Sequence, residues 1–176
     1  RTFLERVAGA GIPLLVHSGT GEVTFATLDP EFGRLRKLLP ALEMGVRVIC
    51  AHGAAPLLLS SERSEVPVLR GLLERFPNLW LDNSGLANPS RFRHLPRFAD
   101  DPLFRWRTLH GSDFPVITDS IYYLRRLGLT RVREIQAEGN RIERDAMLKE
   151  AIGFDEASFT RAGSVLANLP RWCETR

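Results

Sequence analysis

The sequence predicts an α/β fold in which short parallel strands alternate with helices, and three observations carry this reading. Four apolar runs recur, at residues 13–17 (PLLVH), 47–52 (RVICAH), 78–83 (NLWLDN) and 107–113 (RTLHGSD). Their ends, His17, His52, Asn83 and Asp113, are spaced 35, 31 and 30 residues apart, room for one strand and one crossover helix each time. The first two runs are apolar throughout rather than alternating, the pattern of parallel strands buried on both faces. Such alternation leaves a doubly wound open sheet or a (β/α)8 barrel.

The elements follow in order. Residues 1–11 (RTFLERVAGAG) read as the last turns of an amphipathic helix with its glycine stop, not as a signal peptide. Residues 31–44 put Phe32, Leu35, Leu38, Leu39 and Leu42 on one helical face, with a kink expected at Pro40 and a stop at Gly45. Residues 64–76 open on Ser-Glu, carry Val68, Leu69, Leu72, Leu73 and Phe76, and end before Pro77. A shorter helix is expected over 90–98. Beyond the fourth strand, residues 117–127, 131–152 and 155–169 read as helical, so 117–176 form a helical tail. No linker rich in Gly, Ser or Pro divides residues 1–176, which read as one domain.

Composition excludes several classes. A chain of 176 residues, 44% hydrophobic and 26% charged, has the make-up of an ordinary globular domain. No apolar run approaches the roughly 20 residues that span a bilayer, so no membrane partner is expected. The net charge is +3, with Lys37 and Lys149 the only lysines among 24 basic residues. Acids and bases are interspersed, as in residues 131–150 (RVREIQAEGNRIERDAMLKE), which reads as a solvated helical face and not a stripe for phosphates; no nucleic-acid binding is expected. Cys50 and Cys173, without a CxxC, suggest a reducing, cytoplasmic setting and argue against a cysteine-bound structural zinc.

The chemistry concentrates at the strand ends. In a barrel those ends converge on one mouth, where side chains from different strands build one site. Two histidines and an aspartate there, His17, His52 and Asp113, are the ligand types that hold a divalent metal, zinc first and manganese second. Such a metal lowers the pKa of bound water to about 7, and a neighbouring carboxylate takes up its proton as the hydroxide attacks. Thr20 and Glu22 are expected in a loop over the mouth, within reach of a small-molecule substrate. Asn83, with Asp82 and Ser84, is placed to orient that substrate, or one of the three to cap a following helix. His110, three residues before Asp113, faces away and is read as a packing residue or one that supports the site from behind; His94 is read as a surface residue.

Residues 13–22 (PLLVHSGTGE), 47–56 (RVICAHGAAP) and 109–115 (LHGSDFP), in this order and at these separations, resemble the fifth, sixth and eighth strands of the amidohydrolase superfamily, in its amidohydrolase-related branch of metal-dependent hydrolases and carboxylic-acid decarboxylases. The resemblance implies a (β/α)8 TIM-like barrel with a mono- or binuclear site. It implies that His17 is the fifth-strand metal ligand and that His52 binds a second metal or the substrate. Asp113 then contacts the metal and shuttles the proton of the attacking water.

The superfamily's first-strand His-x-His is absent here, His94 and His110 being the other histidines. A barrel of this type needs about 250 residues. The chain is therefore expected to be a partial domain, the C-terminal half of the barrel, strands five to eight. Completion would come from an N-terminal half or from a homo-oligomer. The expected function is a metal-dependent hydrolase acting on an amide, ester or lactone. The alternatives are a metal-dependent non-oxidative decarboxylase on the same scaffold and a catalytically silent half-barrel whose role is assembly.

Overall fold

The computed structural model describes residues 2–19, 30–58 and 64–166. Thr20, Glu22 and Cys173, and the end of the helix expected over 155–169, lie outside them.

Four parallel strands, β1 (Leu14–His17), β2 (Val48–Ala51), β3 (Leu79–Asp82) and β4 (Thr108–Leu109), form one sheet in the order β1-β2-β3-β4. Each lies inside a run that the apolar pattern marks, and β4 is the shortest because His110 and Gly111 turn away from the ladder: the His110 N–H donates to the Ser158 carbonyl. Register places Val16 beside Cys50, Cys50 beside Leu81 and Leu81 beside Thr108. That row lies under the helices, with Cys50, Leu81 and Thr108 fully buried. The alternate row, Leu15, Ile49 and Trp80, faces the other side, where Ile49 meets Leu109 and Val165 in a second, small cluster. Strand alternation puts His17 and Asp82 on this second face.

The helices cover the first face. Preceding β1 is α1 (Phe3–Ala10), opened by a capping box in which the Glu5 N–H donates to Thr2 Oγ1 and the Thr2 N–H donates to Glu5 Oε2. The single helix expected over 31–44 is instead two 3-10 turns, Pro30–Gly33 and Leu35–Leu38, and a short α2 (Leu39–Glu43). Pro40 has no N–H to give an earlier turn, so it stands in the first turn of α2 rather than kinking a longer helix. Next, α3 (Val66–Arg75) buries Leu69, Leu72 and Leu73. After β3 come α4 (His94–Asp100) and α5 (Pro102–Arg107); the latter is started by Asp101, whose Oδ1 accepts the N–H groups of Leu103 and Phe104. Phe98 of α4 and Phe104 of α5 stack with ring centroids 4.6 Å apart.

The C-terminal helices join the same core. A 3-10 turn at Ser120–Tyr123 leads into α6 (Leu124–Ala137), which breaks at Gly128, and α7 (Arg141–Ile152) follows. The helix expected over 131–152 is split there because Asn140 caps a new one, its Oδ1 accepting the N–H groups of Ile142 and Glu143. Packed on α4 and α6, α7 fully buries Leu148 and Ile152. Two short helices, α8 (Glu156–Thr160) and α9 (Ala162–Val165), close the described chain. Among the described residues no helix is long and apolar enough to cross a membrane.

Candidate active site

At the C-terminal ends of the strands the chain collects its chemically capable side chains. His17 ends β1 and is exposed; its ring meets that of His52 edge-on, centroids 4.9 Å apart. His52 follows β2 directly and is buried, with only 6% of its surface exposed. Asp113 reaches in from the segment after β4, its Oδ2 3.8 Å from His52 Nδ1, with 36% of its side chain exposed. Three residues 35 and 61 positions apart along the chain thus stand side by side.

The local backbone is bent to achieve this. His52 (φ 57°), Ala54 (φ 52°) and Asp113 (φ 60°) all occupy the left-handed region, a cost of about 1–3 kcal/mol each for a non-glycine residue. Between the first two stands Gly53, where an added Cβ would lie 2.2 Å from Phe98 Cε2. Gly53 is therefore required by the turn.

His52 is held from behind by the end of β3. Asp82 Oδ1 accepts the backbone N–H of His52 at 2.9 Å, the N–H of Ser84 at 3.0 Å and the Ser84 hydroxyl at 2.5 Å. His52 Nδ1 lies 2.9 Å from both the Ser84 carbonyl oxygen and Ser84 Oγ. A carbonyl only accepts, and the Ser84 hydroxyl proton is spent on Asp82, so this network assigns the imidazole proton to Nδ1 and leaves the lone pair on Nε2. The charge of Asp113 then faces the protonated edge of the ring.

Asp82 and Ser84 fix the histidine instead of capping a helix, since turns and not a helix follow β3. Asn83 is fully buried; its Oδ1 accepts the Gly111 N–H at 3.2 Å, and its Nδ2 has no hydrogen-bond partner among the described residues. Thr20 and Glu22 fall outside those residues. His110 is a packing residue, as expected: its ring lies 4.7 Å from that of Phe159, and burial, helped by the charge of Lys149, pushes its pKa down to about 4. His94, expected at the surface, is half-buried because α4 turns it toward Phe98, and burial lowers its pKa. Cys50 is buried under the helices, which pushes its thiol up to about 12 and leaves it unreactive.

The chain also contradicts one expectation outright. Residues 131–150 are not a solvated face throughout, because Asp145 and Lys149 are buried. Lys149 Nζ donates to Asp145 Oδ2 at 2.5 Å and to the Gly111 carbonyl at 2.7 Å, and Thr118 Oγ1 donates to Asp145 Oδ1 at 2.7 Å. Burial lowers the pKa of Lys149, and the Asp145 carboxylate opposes it. The i,i+4 spacing of the pair is that of an ordinary solvated pair and did not reveal this burial.

A family model described as amidohydrolase matches residues 1–152, a span that contains His17, His52, Asp82, Asp113 and Lys149. The chain belongs to the amidohydrolase family. No curated protein and no solved structure matches it. Its parallel four-stranded sheet with helices between the strands is consistent with the TIM-barrel-like architecture of an amidohydrolase, and membership points to hydrolase or decarboxylase-type chemistry. In this amidohydrolase His17, His52 and Asp113 are donor types that suit a divalent metal. Yet among the described residues no three His, Cys, Asp or Glu side chains close on one point as a metal requires. The described residues alone do not make a metal site.

Proposed function

We propose that this amidohydrolase is a hydrolase in which Asp113 and His52 handle the proton of a water attacking an amide, ester or lactone carbonyl. The observation that carries the reading is the meeting of His52 and Asp113 at 3.8 Å, both held in left-handed backbone at the ends of different strands. The Asp113 carboxylate, partly open to solvent, takes the proton of the attacking water and returns it to the leaving nitrogen or oxygen as the carbon–heteroatom bond breaks. His52, protonated at Nδ1, offers its Nε2 lone pair as an acceptor that orients the water or substrate. Dependence on a divalent metal, zinc before manganese, is what the family resemblance implies; such an ion would need His17 and Asp113 together with further donors, and no step above is routed through it.

The fold supports a barrel completed by further strands. Within the described sheet β1 and β4 are the outer strands, and Leu15 on β1 is 66% exposed. We place these four strands as the fifth to eighth of the barrel, closed by an N-terminal half or a second copy.

The experiment uses the full-length protein, wild type and Asp113→Asn, against amide, ester and lactone substrates, with metal content and carbon dioxide release measured on the same preparations. The reading expects hydrolysis that falls by several orders of magnitude in the variant, the scale seen when a catalytic carboxylate is blunted. Unchanged hydrolysis in Asp113→Asn would refute it. Carbon dioxide release without hydrolysis would replace it with the decarboxylase.

A further inference from the structure

The buried pair on α7 bears directly on Asp113. Lys149 Nζ donates to the carbonyl of Gly111, two residues before Asp113, and its partner Asp145 accepts the hydroxyl of Thr118, five residues after it. One ion pair thus holds both ends of the segment that carries Asp113. Within the segment the Val116 N–H donates to the Asp113 carbonyl at 2.8 Å and the Phe114 N–H to Ser112 Oγ at 3.2 Å, which folds it into a tight loop with Asp113 at its turn.

Stability is a weak explanation for this arrangement. Asp145 and Lys149 have 1% and 0% of their surface exposed, and a buried ion pair of this kind is often replaced by apolar side chains at no loss. The choice of residue is also informative. In a chain whose bases are otherwise arginines apart from Lys37, this site carries a lysine, a compact point charge that donates to both a carboxylate and a carbonyl.

We propose that Lys149 and Asp145 are positioning residues that clamp the 111–118 segment at two points and so hold Asp113 against His52. Asn83 forms a third tie, accepting the Gly111 N–H from the side of β3. The clamp rests on the reading of Asp113 as the proton-transferring group, but its mechanical part stands apart from that reading.

The test uses hydrogen exchange and turnover on the full-length protein. The neutral double variant Asp145→Asn/Lys149→Met removes the ammonium without leaving an unpaired charge. Thr118→Val removes only the second tie, and Thr118→Ser restores its hydroxyl. The clamp predicts that the Val116 amide exchanges at least tenfold faster in the double variant and severalfold faster in Thr118→Val, and returns to the wild-type rate in Thr118→Ser. The strand amides of Cys50 and Leu81 stay within about twofold. Turnover number falls at least tenfold in the double variant, with KM little changed. Unchanged Val116 exchange, or acceleration shared equally by the strands, overturns the clamp. A loosened segment with unaltered turnover keeps the clamp and overturns the role given to Asp113. Should the double variant fail to fold, the Thr118 pair decides alone.

Discussion

The backbone N–H of His52 donates to Oδ1 of Asp82 at 2.9 Å, so a carboxylate at the end of β3 holds the turn that follows β2. The same oxygen accepts both donors of Ser84, the residue whose carbonyl and hydroxyl contact the His52 ring. Asp82 is therefore the hub from which the imidazole is oriented.

Substitution of that hub separates its acceptor from its charge. Asp82→Leu leaves two buried backbone donors without a partner and is expected to cost about 2–6 kcal/mol, at about 1–3 kcal/mol per group. Asp82→Asn keeps an acceptor at the Oδ1 position and is expected to cost far less. Urea denaturation of the two variants checks this. Equal losses would show that the negative charge, not the acceptor, supports the turn.

Gly85 tests the spacing between Asp113 and His52. Its φ is 62°, and an added Cβ would lie 2.7 Å from Asp113 Oδ2 and 3.2 Å from His52 Nδ1. Gly85→Ala is expected to push the Asp113 carboxylate aside and lower turnover on the order of 100-fold, the scale of a 1 Å misplacement at a reacting centre. The left-handed backbone adds a stability loss of about 1–2 kcal/mol. Gly9→Ala in α1, where an added Cβ has open space, is the control: it is expected to gain up to about 1 kcal/mol and leave turnover alone. Turnover within twofold of wild type for Gly85→Ala would contradict the contact.

Stability is expected to fall on mild acidification. Burial holds His110 at about 4 against the ordinary histidine value of 6.5, so between those values the unfolded chain binds the proton more readily than the folded one. The contribution is complete above pH 6.5 and is lost as the pH drops toward 4. His94, also lowered by burial, acts in the same direction. Unfolding midpoints of wild type and His110→Leu across this window measure the effect. The variant should show the shallower dependence, and identical slopes would exclude His110 as a contributor.

Much of the fold was legible because its signals are local. Continuous apolar runs mark β1 and β2, and their polar terminal residues identify His17 and His52 before any contact is known. α5 was equally legible in principle, since Asp101-Pro102 is an N-cap followed by a proline in the first turn. The single helix expected over 31–44 gave way at Arg34, whose extended backbone (φ −69°, ψ 129°) separates the first 3-10 turn from the rest.

The sequence by itself determined the alternation of strands and helices, the polar residues at the strand ends and, through their motifs, the amidohydrolase resemblance. Tertiary structure alone decided what surrounds those residues. Asp145 and Lys149 carry the spacing of an ordinary solvated pair, and only the packing of α7 on α4 and α6 removes them from water and leaves the Gly111 carbonyl and the Thr118 hydroxyl as their partners. Likewise Asp82 and Ser84 read as a cap until the turn after β2 folds over them. Hydrophobic period is written in neighbouring residues, whereas burial of a charge depends on elements distant in the chain, so a local pattern cannot reveal it.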